Sequence, residues 1–171
     1  MFDLCIEVLF KHEMGYTNNP ADKGNWTGGK INAGELKGTK YGISAASYPY
    51  LNIRELTKDQ AKEIYRNDFW QPLRLYLLDN ANICLDIFDF GVNAGPSRAV
   101  KIAQMLAGTE EDGILGGITA KAINEYEGDF VKDYKHTRII YYENLASDKP
   151  ELNIFLKGWT NRVNQNYFIN V

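Results

Sequence analysis

The chain has 171 residues and a mass of 19.5 kDa, enough for one compact domain or two packed lobes with a real core. Hydrophobic residues at 44% and charged residues at 24% exclude a wholly disordered chain. A formal charge of -3 with no long basic run argues against a nucleic-acid binder held by phosphate contacts.

Periodicity predicts a first helix over residues 2–13, with Phe2, Ile6, Leu9 and Glu13 on one face and Asp3 as its N-cap. From Gly15 to Gly42 glycine, Pro20 and several Asn and Asp residues break the pattern. This stretch reads as turns with room for short strands. An irregular segment of that length in a small domain is more often functional than idle. Thr57-Lys58-Asp59-Gln60 is a capping-box pattern opening a helix that ends before Pro72. Residues 80–93 are apolar nearly all round, the mark of a central buried helix. Gly95-Pro96 breaks it, Ser97 caps the next helix, and Gly108 to Gly117 is a turn region. Residues 129–146 form a long helix with Phe130, Tyr134, Tyr141 and Leu145 along one side. Beyond Pro150 come two short helical pieces, whose Phe155, Trp159 and Tyr167 read as core.

The two cysteines, Cys5 and Cys84, lie among apolar neighbours and read as small buried side chains. With only two histidines beside them, a structural zinc site is not expected. His12-Glu13 lacks the second histidine of a zinc-protease helix, so neither metal nor cofactor is expected. Tyrosine dominates an aromatic set of 11 Tyr, 8 Phe and 3 Trp, which suits a polar-rimmed groove as well as a core. No stretch is apolar enough to span a bilayer. The N-terminus carries Asp3 and Glu7 and no basic n-region, so cytosolic synthesis without a Sec signal peptide is expected.

Glu13 is the leading candidate for chemistry. At the end of the first helix, partial burial and the negative end of the helix dipole both raise a carboxyl pKa, as a general acid near neutrality requires. The plainer alternative is an acid reaching solvent at a helix end. Asp22, in the turn Asn18-Asn19-Pro20-Ala21-Asp22-Lys23-Gly24, is expected to stay ionised, or merely to stabilise its own turn. Two carboxylates in environments of contrasting polarity are what a glycosidase uses. Tyr16, Trp26 and Tyr41 are candidates to stack on sugar faces. Asp89 and Asn93, spaced i,i+4 on an apolar helix, are either substrate contacts or structural polar groups satisfied internally.

Glu13-Met14-Gly15-Tyr16-Thr17-Asn18-Asn19-Pro20-Ala21-Asp22-Lys23-Gly24 resembles the E-G-G-Y-x-x-D-P-x-D-x-G signature of glycoside hydrolase family 108, phage-type N-acetylmuramidases of the lysozyme-like superfamily. Further blocks resemble the same family in order: Thr39-Lys40-Tyr41-Gly42-Ile43-Ser44, then Leu56-Thr57 through Pro72, then Phe88-Asp89-Phe90-Gly91-Val92-Asn93-Ala94-Gly95. Asp112-Gly113-Ile114-Leu115-Gly116-Gly117-Ile118-Thr119 looks like the D-G-x-x-G-x-x-T of its C-terminal, predicted peptidoglycan-binding half.

The resemblance implies a mainly α, lysozyme-like fold: a helical bundle with a loop-rich N-terminal insertion. It implies a catalytic region over 1–85 and a helical, peptidoglycan-binding half over 86–171, packed into one unit. It also implies cleavage of the β-1,4 bond between N-acetylmuramic acid and N-acetylglucosamine, with Glu13 as acid and Asp22 and a threonine as partners. The expected partner is the peptidoglycan glycan strand, not nucleic acid. Action at the wall without a leader fits holin-dependent release from a prophage, or local wall remodelling during secretion. A non-catalytic wall-binding protein and a lytic transglycosylase using Glu13 alone are the alternatives.

Two departures from the pattern stand out. Met14 occupies a position where the family usually has glycine. An apparent insertion, Gly28 to Gly38, leaves two threonines for one role: Thr27 keeps the short distance from Asp22, and Thr39 keeps the context before Gly42-Ile43-Ser44.

Overall fold

The computed structural model describes residues 1–11 and 15–165. Glu13, with His12 and Met14, lies outside the described residues, as does Tyr167. The fold is mainly α and lysozyme-like, with one small two-stranded sheet among the described residues. The chain divides into two compact units, a loop unit over Ile6–Asn67 and a helical unit formed by Met1–Cys5 with Asp68–Val171. Helix α1 (Phe2–Phe10) gives residues to both. Asp3 sits inside its first turn rather than capping it.

In the loop unit, a hairpin pairs β1 (Thr39–Lys40) with β2 (Ile43–Ser44), Thr39 opposite Ser44 and Lys40 opposite Ile43. The two residues between them, Tyr41 and Gly42, have φ of 52° and 76°. Positive φ at both positions matches the right-handed strand twist, and glycine takes the second without a Cβ penalty. Helix α2 (Lys58–Tyr65) opens with the expected capping box: Thr57 accepts from the Gln60 N–H while the Gln60 side chain accepts from the Thr57 N–H. Its apolar face buries Ala61 and Tyr65. Tyr65 stacks edge-on against Phe10 at 5.7 Å and donates its hydroxyl to the Tyr41 carbonyl at 3.0 Å. That bond pins the strained hairpin turn to the helix. Glu7 is held by Lys58 and Lys62, each at 2.7 Å. Hydrogen bonds from these lysines keep its carboxyl below the usual range, so it stays an anion.

The helix from Thr57 does not run evenly to Pro72. It widens into a π-helical turn over Arg66–Trp70, and the division between the two units falls inside that turn. Pro72 then sits in the first turn of α3 (Gln71–Leu73), where its missing N–H costs nothing.

The helical unit is built around α4 (Ala81–Ala94), capped by Asn80 and buried from Ile83 through Gly91. Phe88 meets Phe2 and Trp70 edge-to-face, with centroids 6.1 and 5.4 Å away. Truncation of such a ring costs about 3–5 kcal/mol. Gly91 carries no Cβ because one would come within 2.8 Å of Leu73 Cδ1. Gly95 (φ 94°) turns the chain into α5 (Pro96–Ala107), so Pro96 starts the helix and Ser97 does not cap it. The Asp112–Thr119 motif is organised by Gln104 of α5, whose buried amide bonds Asp112, Ile114, Thr119 and the Gly113 N–H. Helix α6 (Gly117–Asn124) follows.

In α7 (Phe130–Asp148) the buried stripe is Phe130, Tyr134, Arg138, Tyr142 and Ala146. This strict i+4 row replaces the predicted one through Tyr141 and Leu145. The predicted row avoided a charge at its centre, and the structure buries that charge. A single turn at Pro150–Leu152 leads into α8 (Asn153–Asn164). There Trp159 stacks on Tyr142 at 5.0 Å, but Phe155 is 49% exposed, so it is not core. Cys5 and Cys84 are free and buried, as expected, and burial pushes both thiols up to about 12.

Candidate active-site loop

The loop after α1 is held by backbone bonds rather than by regular elements. Thr17 and Thr39 exchange N–H···O bonds of 2.9 and 2.8 Å, adding a third short extended piece beside the hairpin. Trp26 bridges to Leu36, the Thr27 N–H donates to Glu35 O at 3.0 Å, and the Gly28 N–H donates to Ala33 O at 3.0 Å. Residues 28–35 thus close on themselves as a side excursion and leave the Thr39–Ser44 block in place. Gly34 (φ 77°) lets this excursion close, since a Cβ there would strike Thr27 Oγ1.

Asp22 caps a single 3-10 turn, Lys23–Asn25, through a 2.8 Å bond from the Gly24 N–H to its Oδ1. The residue is exposed, so its carboxylate stays hydrated and open to a ligand. The turn ends in Asn25, which has no exposure at all. Its N–H donates to Asp22 O at 3.1 Å, its carbonyl accepts from the Lys37 and Gly38 N–H groups at 3.0 Å each, and its Nδ2 donates to Asn19 O at 3.0 Å. Its Oδ1 accepts from the Thr39 hydroxyl at 2.7 Å. A buried amide with all these groups satisfied is a rigid joint. Asp22 and Thr39, seventeen positions apart, are both fastened to it.

The other loop candidates are committed differently. Thr27 Oγ1 accepts from the Glu35 N–H at 2.9 Å and so closes the excursion. Trp26 is half-buried, with its indole N–H on Pro20 O at 2.9 Å. The Tyr16 hydroxyl donates to Lys37 O at 3.2 Å, and the Arg54 guanidinium lies 5.3 Å over its ring. The Tyr41 ring lies 5.6 Å from Phe10 and has the Lys40 ammonium 5.5 Å above it. All three rings are partly exposed and fixed in place.

Asp89 and Asn93 belong to the helical unit. Asp89 is buried, with Arg138 Nη2 at 2.6 Å and Arg162 Nε at 2.9 Å. Asp86, one turn earlier, faces Arg138 at 3.3 Å and Lys135 at 3.8 Å. Burial pushes the Asp86 carboxyl up to about 7 against the pull of those cations. Burial also works against the Arg138 charge, yet Asp89 and its neighbours raise the guanidinium further and keep it protonated. Asn93 donates to the Tyr142 hydroxyl at 2.8 Å. These two residues therefore make internal polar bonds.

Sequence reading missed Asn25 and Arg138. Asn25 looked like one more turn residue, and no local signal separates it from Asn18 or Asn19. Arg138 had a signal: two acids one turn apart in an otherwise apolar helix demand a cation from a facing element. Two cavities lie away from this loop, one of about 530 Å³ beside Leu51, Leu56 and Ile64 and one of about 790 Å³ bounded by Asn82, Lys132, His136 and Asn164. Among the described residues no helix is long and apolar enough to cross a membrane.

Comparison with known proteins bears on both halves of the chain. The solved structure of SagA from Brucella abortus superposes with a TM-score of 0.73 at 28% sequence identity, covering 95% of this chain and 88% of that one. No curated protein matches. Residues 98–164, where Gln104 and Asp112 organise the α5–α6 turn, match a predicted peptidoglycan domain, which points to peptidoglycan at the cell wall as the substrate. Residues 6–95, more than half the chain and including the whole Asp22–Asn25–Thr39 loop, match the glycosyl hydrolase 108 model. The chain belongs to the glycosyl hydrolase 108 family and is a glycoside hydrolase acting on peptidoglycan.

Proposed function

We propose that the protein is an N-acetylmuramidase, hydrolysing the β-1,4 bond between N-acetylmuramic acid and N-acetylglucosamine. Glu13 is the general acid and gives its proton to the leaving O4 as the C1–O4 bond breaks. Asp22 and Thr39 hold the water whose oxygen bonds to C1, and the water's proton passes to Asp22. Inversion follows if the carboxyl groups of Glu13 and Asp22 stand roughly 6.5–9.5 Å apart, leaving room for that water. Tyr16, Trp26 and Tyr41 supply sugar-stacking faces, Asp89 and Asn93 brace the helical unit through Arg138, Arg162 and Tyr142, and the C-terminal half over 86–171 contacts the wall.

The observation that supports this reading is the joint at Asn25, which fastens an exposed carboxylate and a hydroxyl to one turn. A loop serving only as a connection has no need of a buried amide that holds the Thr39 hydroxyl against the turn capped by Asp22. The same joint favours Thr39 over Thr27, whose oxygen closes the excursion instead.

The test is digestion of purified peptidoglycan with mass analysis of fragments, comparing the wild type with Glu13→Gln. Reducing muramic ends that vanish in the variant are expected. Anhydromuramic ends would establish a transglycosylase, and binding without cleavage by the wild type would overturn both enzymatic readings.

A further inference from the structure

We infer that Asn25 is a positioning residue that sets the direction of the Thr39 hydroxyl hydrogen and so turns Thr39 into a pure acceptor for the attacking water; the inference rests on the proposed role of Asp22 and Thr39. The hydrogen-bond chemistry leaves one arrangement. Asn19 O is a carbonyl and accepts only, so the amide face of Asn25 toward it, at 3.0 Å, must be the NH2 group. The other face, 2.7 Å from Thr39 Oγ1, is then the amide oxygen, which has no hydrogen to give. Thr39 must therefore donate its single hydroxyl hydrogen to Asn25. What it offers on its other side is lone pairs alone.

That polarity matters for a water shared with Asp22. An ionised carboxylate is also an acceptor only. A water between Asp22 and Thr39 must spend both hydrogens on them, which aims an oxygen lone pair away from both, toward an anomeric carbon on the open side. If Thr39 were free to rotate, its hydroxyl could donate to the water instead and occupy the lone pair that attacks. Asn25 removes that unproductive state without touching substrate. Its full burial makes the arrangement stiff.

The experiment is a double-mutant cycle of Asn25→Ala and Thr39→Val on soluble peptidoglycan fragments, reading kcat, KM and melting temperature. Each single variant is expected to lower kcat about 30-fold with KM unchanged, the scale of a mispositioned reactant. The double variant is expected to fall no further than Thr39→Val alone. Additive losses would overturn the inference while leaving Thr39 in the mechanism. An unaffected kcat in Thr39→Val would remove Thr39 from the mechanism and the inference with it. Asn25→Asp decides the matter if Asn25→Ala does not fold. It keeps an oxygen toward Thr39 and loses the bond to Asn19, so melting temperature should drop while kcat stays within about 3-fold of wild type. A kcat as low as that of Thr39→Val would overturn the inference.

Discussion

The molecule holds two buried polar centres, and they are built to opposite ends. Around Arg138, three cations and two carboxylates from α4, α7 and α8 pair with one another, and Asp86, Asp89 and Arg138 are nearly shut off from water. Around Asn25 one neutral amide is fully buried and holds Thr39, its backbone N–H bonds the Asp22 carbonyl, and Asp22 and Thr39 remain wholly or partly exposed. The first centre spends its hydrogen-bonding capacity internally. The second leaves a carboxylate and a hydroxyl oxygen open while removing their freedom to move. Burial of polar groups by itself says nothing about chemistry; what remains exposed at the edge of the buried group does.

The comparison breaks most sharply at Asp22. Asp22→Asn keeps an oxygen for the Gly24 N–H, so melting temperature should move by no more than about 2 °C, while kcat falls about 10²–10⁴-fold. Steady-state kinetics beside a thermal scan checks both halves. A normal rate would reduce Asp22 to a cap.

Arg138→Met should do the reverse. It leaves Asp86 without its buried guanidinium partner and Asp89 with Arg162 alone, which costs about 3–5 kcal/mol in urea unfolding. The rate measured below the unfolding transition should stay within about 3-fold of wild type, because the carboxylates of that cluster are engaged in internal ion pairs.

The pH dependence of the same cluster has a definite sign. Burial raises the Asp86 carboxyl from the ordinary 3.8 to about 7 in the folded protein, so the native state binds the extra proton between those values. Its contribution to stability is fully present below about pH 4 and is lost as pH rises through 7. The stability difference between wild type and Asp86→Asn should therefore fall by a few kcal/mol at most from pH 4 to pH 8. A flat difference would mean that Asp86 is ionised throughout.

Much of this was legible in the sequence. The Thr57 capping box, the buried helix over 80–93 and the glycine-rich loop carry local signals, because each depends on residues three or four apart. The Thr39–Ser44 hairpin was foreseen only as room for short strands, since Tyr41 in positive φ gives no warning from its type. The π-helical turn at Arg66–Trp70 left no trace either. The i+4 stripe of α7 differs by one position from the apolar row through Tyr141 and Leu145, because it carries the charged Arg138, whose burial depends on Asp86 and Asp89 from another helix. In the loop, Asp22 and Thr39 stood out from their motifs. Asn25 did not, because what distinguishes it is burial and long-range bonding to Thr39.

The smallest expected effect separates the two threonines. Thr27→Val removes the acceptor for the Glu35 N–H and should cost about 1 kcal/mol of stability, with kcat within about 2-fold of wild type. A kcat loss matching that of Thr39→Val would shift the water-binding role to the excursion.

The most direct measurement of the proposed reaction is digestion of peptidoglycan in water enriched in oxygen-18, with mass analysis of every new end. Hydrolysis of the muramic bond predicts one heavy oxygen on C1 of each new N-acetylmuramic acid reducing end. Label on N-acetylglucosamine ends, or unlabelled anhydromuramic ends, would contradict it.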